Sequence, residues 1–231
     1  MNKFMVIEGL DGSGKSTQIR LLKEYFQSKN IKYKYLHFPR TDCLPYGEMI
    51  AKFLRGEFGE VASVNPYLVA LLYALDREKA KDQISDWISQ GFLVLLDRYV
   101  YSNMAFQCAK CKNKEEKVKL RKWIFNLEYN YNKIPKPDLS ILLNVPFQFV
   151  SNSLTESRFG HSRKYLNGKS DIHETSLSLQ ENVQREYFSL VNNNEDFVLI
   201  DCRLNSVDML SPDEINRKII ELIHSRLGVI I

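Results

Sequence analysis

The stretch Gly9-Leu10-Asp11-Gly12-Ser13-Gly14-Lys15-Ser16 fits the pattern G-x-x-x-x-G-K-[ST] and constrains the fold more than any other part of the chain. It lies between Lys3-Phe4-Met5-Val6-Ile7-Glu8, an apolar strand-like run, and Thr17-Gln18-Ile19-Arg20-Leu21-Leu22, the opening of an amphipathic helix. Glycines at such a junction let successive backbone N–H groups turn inward around phosphate oxygens at the positive end of a helix. Residues Gly9 to Thr17 are therefore the candidate phosphate cradle. Lys15 supplies a mobile positive charge, and Ser16 offers a hydroxyl to the magnesium ion that accompanies a nucleoside triphosphate.

A chain of 231 residues with 44% hydrophobic content can bury its own core, and its length favours one domain. The formal charge of +4 argues against a dedicated nucleic-acid binder and suits a protein that handles small polyanions. No apolar run is long enough to span a bilayer and no export signal is visible, so a cytoplasmic protein with no membrane partner is expected. In that setting Cys43, Cys108, Cys111 and Cys202 read as free thiols, because no second C-x-x-C or histidine pair completes a metal site.

Downstream, Ile31 to Phe38 alternates like a second strand and ends at Pro39, which leaves Phe38 and Arg40 at a carboxyl edge where open α/β sheets place ligands. Helices are predicted over Tyr46–Leu54 and over Tyr67–Gln90, the second with a packing stripe of Leu68, Leu72 and Leu75. Tyr73 and Arg77 stand four apart on an adjacent face, able to stack on and hydrogen-bond a planar base; taken alone, such a pair is more often surface packing. Phe92-Leu93-Val94-Leu95-Leu96-Asp97 reads as a strand buried on both faces, with its terminal acid beside the phosphate loop and near the metal. Arg98 follows, and Tyr99, Ser102, Asn103, Phe106 and Gln107 share one face of the next helix. Lys114–Tyr131 reads as a charged amphipathic helix with a solvated face and no chemistry. Further strands are expected at Leu139–Val145 and Phe197–Asp201, a helix over Asp171–Val191, and a helix start at Ser211-Pro212-Asp213-Glu214. The interval from Arg158 to Lys169 carries Arg158, Arg163, Lys164 and Lys169 without an acid, the composition of a mobile basic flap or of a solvated loop. Together these elements predict a three-layer α/β domain: a parallel sheet of about five strands with helices on both faces.

A phosphate loop and a strand-end acid specify nucleotide binding without naming the reaction. No Asn-Lys-x-Asp or Ser-Gly-Gly-Gln motif is present, which argues against a GTPase switch or a transporter ATPase. Arginines at 40, 77, 98, 158 and 163 point instead to a second anionic substrate, since two like unit charges at 4 Å repel by about 4 kcal/mol at an effective dielectric of 20.

The blocks Glu8 to Gln18, Phe38-Pro39-Arg40, Leu75-Asp76-Arg77, Asp97-Arg98-Tyr99 and Ser102 to Gln107 jointly resemble the thymidylate kinases, and the likeness spans nearly the whole chain. The resemblance implies a P-loop kinase fold, transfer of the γ-phosphoryl group of ATP to dTMP, Mg2+ as the accompanying ion and a homodimer formed by helix packing. It implies that Phe38 and Tyr73 flank the thymine ring, that Arg77 bonds a base carbonyl and that Asn103 orients the base. Arg40 and Arg98 would hold the acceptor phosphate, Phe106 would crowd the sugar 2′ position and Asp11 would meet the 3′-hydroxyl. Asp97 is expected near magnesium through water. Because residue 12 is glycine, the catalytic arginine is expected in a lid at about 157–170, with Arg158 and Arg163 as candidates. Tyr73 departs from the family's usual phenylalanine by adding a hydroxyl. The alternatives are another P-loop nucleotide or deoxynucleoside kinase, and a non-catalytic ATP-binding regulatory module.

Overall fold

In the computed structural model of the chain, residues 3–155 and 161–228 are described, with 161–163 by their backbone alone. The strands are β1 (Phe4–Glu8), β2 (Tyr33–His37), β3 (Leu93–Asp97), β4 (Leu139–Asn144) and β5 (Phe197–Asp201). All pair in parallel in the order β2-β3-β1-β4-β5, with Ile7 opposite Asp97 across β1 and β3. Every residue of β1, β3 and β4 is buried, as continuous apolar runs require, while the edge strands β2 and β5 are half-covered. The predicted three-layer P-loop kinase fold is the one observed.

Helix α1 (Lys15–Ser28) buries Ile19, Leu22 and Phe26 at helical spacing and packs beside α9 (Pro212–Leu227), whose start is closed by the expected capping box of Ser211 and Glu214. Helix α5 (Val100–Cys108) is buried on all sides, between α3 (Pro66–Lys79), α6 (Lys114–Phe125) and α8 (Leu177–Val191). Helix α2 (Tyr46–Leu54) has its predicted bounds, and all four thiols are free.

Four expectations need correction. The predicted helix over Tyr67–Gln90 is two helices, α3 and α4 (Lys81–Ser89), divided at Ala80. A continuous helix would bond the Ala80 N–H to Asp76 O; instead Asp76 O accepts from Arg40 Nη2 at 2.5 Å and Ala80 N–H turns to Arg77 O at 3.0 Å. The leucine stripe holds only in part: Leu72 packs on a core cluster and Leu75 is half-buried, but Leu68 is 62% exposed, and the buried residues of α3 are Val69, Ala70, Ala74, Asp76 and Arg77. Lys114–Tyr131 gives way at Asn126–Tyr131 to a π-helical turn, whose extra residue per turn shifts the facing of the side chains, and Glu128 there is completely buried. Finally, α8 begins at Leu177, capped by Ser176, because Asp171 to Thr175 form a turn with the N–H groups of Glu174 and Thr175 on Asp171 O.

Gly47 seats α2 against the segment after β2. A Cβ there would lie 1.9 Å from Arg40 O, a clash with backbone that no side-chain rotation relieves. Gly47→Ala is expected to lower unfolding free energy by about 1–3 kcal/mol or more, the range for overpacking. Urea unfolding checks this, and a parental midpoint would show that α2 is free to shift.

Candidate functional site

A cleft of about 1410 Å³ opens at the carboxyl ends of β1, β2 and β3, where open parallel sheets place their ligands. Its lining includes the phosphate loop from Asp11 to Thr17, together with Phe38, Arg40, Tyr73, Arg77, Asp97, Arg98, Asn103 and Phe106. Gly9 and Leu10, earlier in the loop, are not in that lining.

The loop turns as its glycines allow. Gly9 has φ +155°, and a Cβ there would lie 2.7 Å from Ser13 Oγ; Gly14, at φ +81°, forms the N-cap of α1. Lys15 Nζ donates to Gly9 O at 3.2 Å and Leu10 O at 2.7 Å, folded onto its own loop. Burial, reinforced by the charge of Arg98, brings its pKa down to about 8. Ser16 is exposed toward the cleft.

Asp97 is buried, with Oδ2 at 3.1 Å from His37 Nδ1 and Oδ1 buried without a partner among the described residues. Burial pushes its pKa up, but the His37 hydrogen bond and the charges of Lys15 and Arg98 outweigh it and hold the carboxyl below its ordinary value. An unpaired carboxylate oxygen and the Ser16 hydroxyl form an all-oxygen donor set that suits magnesium. Among the described residues no cluster of three His, Cys, Asp or Glu could hold a metal alone.

Arg98 takes φ +65°, uncommon for a residue with a side chain, and its N–H bonds Ile7 O at 2.9 Å. Its guanidinium donates to Asp11 Oδ1 at 2.6 Å and to Ser102 Oγ at 3.1 Å, and lies 5.1 Å from the Phe106 ring centre. Burial alone would lower its pKa; Asp11 leads the opposing charges that raise it. Burial likewise raises that of Asp11, but Arg98 and Lys15 bring it down to about 2. Arg40 is clamped on Asp76, with Nε at 2.9 Å from Oδ1, and its own backbone N–H bonds Oδ2 at 2.9 Å.

The far wall of the cleft rests on Glu128, which the sequence pattern had assigned to a solvated face. Arg77 Nε and Nη2 donate to its two carboxylate oxygens at 2.6 and 2.5 Å. Asn103 Nδ2 donates to Glu128 Oε1 and Ala70 O, both at 3.0 Å, leaving Asn103 Oδ1 buried without a partner among the described residues. Arg77 is therefore fixed by a partner 51 residues away. Asp76, His37, Asp171 and His173 also line or brace the cleft and were missed; only Asp76, adjacent to Arg77, carried a sequence signal. Of the lid candidates, Arg158 lies outside the described residues, as does the Arg163 side chain. Lys164 and Tyr165 line the cleft.

Residues 7–211 match the family model described as thymidylate kinase. The chain belongs to the thymidylate kinase family. A probable thymidylate kinase of Thermococcus kodakarensis is 32% identical over 231 residues, covering 97% of this chain and 98% of its own length. The thymidylate kinase of Plasmodium falciparum is 34% identical over 151 residues, 65% of either chain. The solved thymidylate kinase of Candida albicans aligns with a TM-score of 0.72 over 98% of this chain and 93% of its own, at 22% identity, a likeness of fold.

Asp171 lies beneath this site, accepting from His173 N at 2.8 Å and from the Tyr165 hydroxyl at 2.9 Å. Burial, with the negative charges of Asp11 and Glu174, raises its pKa to about 7. A carboxyl whose folded pKa is raised contributes stability that is full below its unfolded pKa, about 4, and is lost as pH rises through the folded one. Asp171→Asn is therefore expected to flatten the decline in unfolding free energy between about pH 4 and 7. Urea melts at pH 5 and 8 measure it, and parallel slopes in parent and variant would contradict the assignment.

Proposed function

We infer that the chain transfers the γ-phosphoryl group of ATP to dTMP, giving dTDP and ADP. The observation that carries this reading is the convergence, in one cleft, of a phosphate loop with a second anion site built from Arg40 and Arg98. Neither a simple ATPase nor an ATP-binding regulatory module requires that second site.

In this reading Gly9 to Thr17 cradle the ATP phosphates through backbone N–H groups, and Lys15 leaves its loop carbonyls for the phosphate oxygens. Arg40 and Arg98 hold the acceptor phosphate, and Asp11, whose two oxygens keep unused lone pairs, receives the 3′-hydroxyl. Phe38 and Tyr73 flank the base, and Phe106, buried against the His173 ring at 5.0 Å, restricts the 2′ side of the sugar. With one nitrogen spent on Glu128 and Ala70 O, Asn103 presents Oδ1 as an acceptor for the N3–H of thymine, and Arg77 faces a base carbonyl. Ser16 would hold magnesium, with Asp97 near it through water, and the bound ion would supply positive charge against the phosphate oxygens. Fixed cations offset the repulsion of the approaching phosphates without reorganising during transfer. The chain folds as one domain with a lid at about 157–170; Lys164 and Tyr165 at the cleft rim support that placement, and Arg158 or Arg163 completes the charge set. The exposed Leu68 on α3, with Phe125 and the Tyr67–Trp123 ring pair nearby, supports a helix-packed homodimer. No described helix is long and apolar enough to cross a membrane, and the reading places the protein in the cytoplasm.

Phosphorylation of a panel of nucleosides and monophosphates in the presence of ATP and magnesium tests the conclusion. dTMP should be the preferred acceptor, and preference for thymidine itself would favour the deoxynucleoside kinase alternative. Arg98→Ala is expected to keep ATP binding and to lose about 10³-fold in turnover, the scale for removing a charge-stabilising arginine. Parental turnover would take Arg98 out of the transfer step. Asn103→Ala should narrow the kcat/KM preference for dTMP over dCMP by about 10-fold or more, because cytosine offers no N3–H to the lost acceptor. An unchanged ratio would assign base choice elsewhere.

A further inference from the structure

Glu8 has no part in the roles above, yet it is completely buried at the end of β1 and four donors converge on it. Its Oε1 accepts from the N–H groups of Tyr99 at 2.9 Å and Ser102 at 3.2 Å. Its Oε2 accepts from the Ser102 hydroxyl and, at 3.1 Å, from the Tyr187 hydroxyl. Both hydroxyls in turn face Arg98 Nη1, at 3.1 Å from Ser102 Oγ and 3.4 Å from the Tyr187 oxygen. In these bonds the carboxylate reaches the guanidinium through intervening hydroxyls.

The direction of the protons gives this layer its meaning. An ionised carboxylate only accepts, and a hydroxyl has a single proton to give. With Glu8 ionised, one hydroxyl proton goes to Oε2 and the other either to Oε2 or across the 2.8 Å between the Ser102 and Tyr187 oxygens, and in each case lone pairs are left for the N–H groups of Arg98. A neutral group in the same place would carry a donor toward the hydroxyls and drive a proton toward a cation that can only donate. Burial pushes the pKa of Glu8 up, while the Ser102 hydroxyl, the charge of Arg98, the Tyr99 N–H and the Tyr187 hydroxyl work against that rise. The other oxygen acts on the backbone: by holding Tyr99 N–H and Ser102 N–H it fixes the residues flanking the left-handed turn at Arg98.

We propose that Glu8 is a positioning residue for Arg98, aiming its guanidinium at the acceptor phosphate through the hydroxyls of Ser102 and Tyr187. The proposal rests on the transfer role of Arg98 given above. Glu8 would touch neither nucleotide, so its loss acts on turnover and not on ATP affinity.

The test is a cycle of variants assayed for kcat and for both KM values. Glu8→Gln keeps the shape and replaces one acceptor with a donor; it should lower kcat about 10- to 100-fold, with KM for ATP within about twofold of the parent. The double variant Ser102→Ala/Tyr187→Phe, which keeps the carboxylate, should lose a similar factor. In an Arg98→Ala background the same double substitution should change turnover by less than about twofold, because the group it positions is gone. A merely structural role would cost as much in either background. Equal losses in both backgrounds, or a Glu8→Gln protein with parental kcat, would overturn the proposal. Should Glu8→Gln fail to fold, the double-variant cycle decides alone. Absence of dTMP phosphorylation by the unaltered chain would remove the function itself, whereas active protein with equal losses removes only the role of Glu8.

Discussion

Charge is buried at the carboxyl ends of β1 and β3, and its cost decides much of what surrounds it. Glu8, Asp97 and Lys15 are at most 9% exposed, and an unpaired ion at such depth costs several kcal/mol even after relaxation. The strand order supplies the remedy. Because β1 and β3 are hydrogen-bonded neighbours with Ile7 opposite Asp97, the loop after one strand and the turn after the other emerge side by side. Carboxylates and cations then interleave: Asp11 with Arg98, Asp97 with the field of Lys15, and Glu8 with Arg98 through two hydroxyls. A parallel sheet without that adjacency would leave each ion to find a partner elsewhere.

The same pairing prepares the site for a polyanion. Lys15 rests on the Gly9 and Leu10 carbonyls, neutral acceptors that a phosphate oxygen can outcompete once it brings full charge. Arg40 is held more firmly, by a carboxylate and a backbone carbonyl of Asp76, but a guanidinium has five N–H donors and those bonds leave capacity for an anion. The contrast separates a mobile cation at the loop from aimed cations at the acceptor end. It also ties binding to helix geometry, since the carbonyl that Arg40 takes is the one a continuous α3–α4 helix would have used.

How much of this was legible depended on whether a feature is local. The phosphate loop is a contiguous run whose glycines and lysine declare their purpose, and β1, β3 and β4 are apolar runs that only a doubly covered sheet accommodates. Phe38, Arg40, Tyr73, Arg77, Asp97, Arg98, Asn103 and Phe106 could be named as cleft residues, and all line it. Their partners could not. Glu128 falls at the end of a segment whose charges read as a solvated helix face, and the π turn at Asn126–Tyr131 places it inside instead. Glu8 and Tyr187 are 179 residues apart, and Asp11 and Gln180 are 169 apart, so nothing in either neighbourhood points to the other. The break at Ala80 was hidden for the same reason, because the Asp76 carbonyl there is taken by an arginine 36 residues away, in the segment after β2.

That division has a consequence for how substrate choice is held. The triphosphate half of the cleft is made largely of backbone N–H groups, whose positions survive most side-chain changes. The opposite wall is made of side chains, four of them held by carboxylates: Arg40 by Asp76, Arg77 and Asn103 by Glu128, and Arg98 by the half-buried Asp11. For Arg77 and Glu128, both fully buried, removing one member leaves its partner charged out of water, a loss of about 3–5 kcal/mol, comparable to a large part of a domain's stability. Glu128 shows the constraint most directly. It accepts from the Asn103 amide nitrogen, which leaves the amide oxygen without a partner among the described residues, and it holds Arg77 against the same wall. A change at Asn103 or Arg77 is therefore felt at Glu128, and one at Glu128 at both of them.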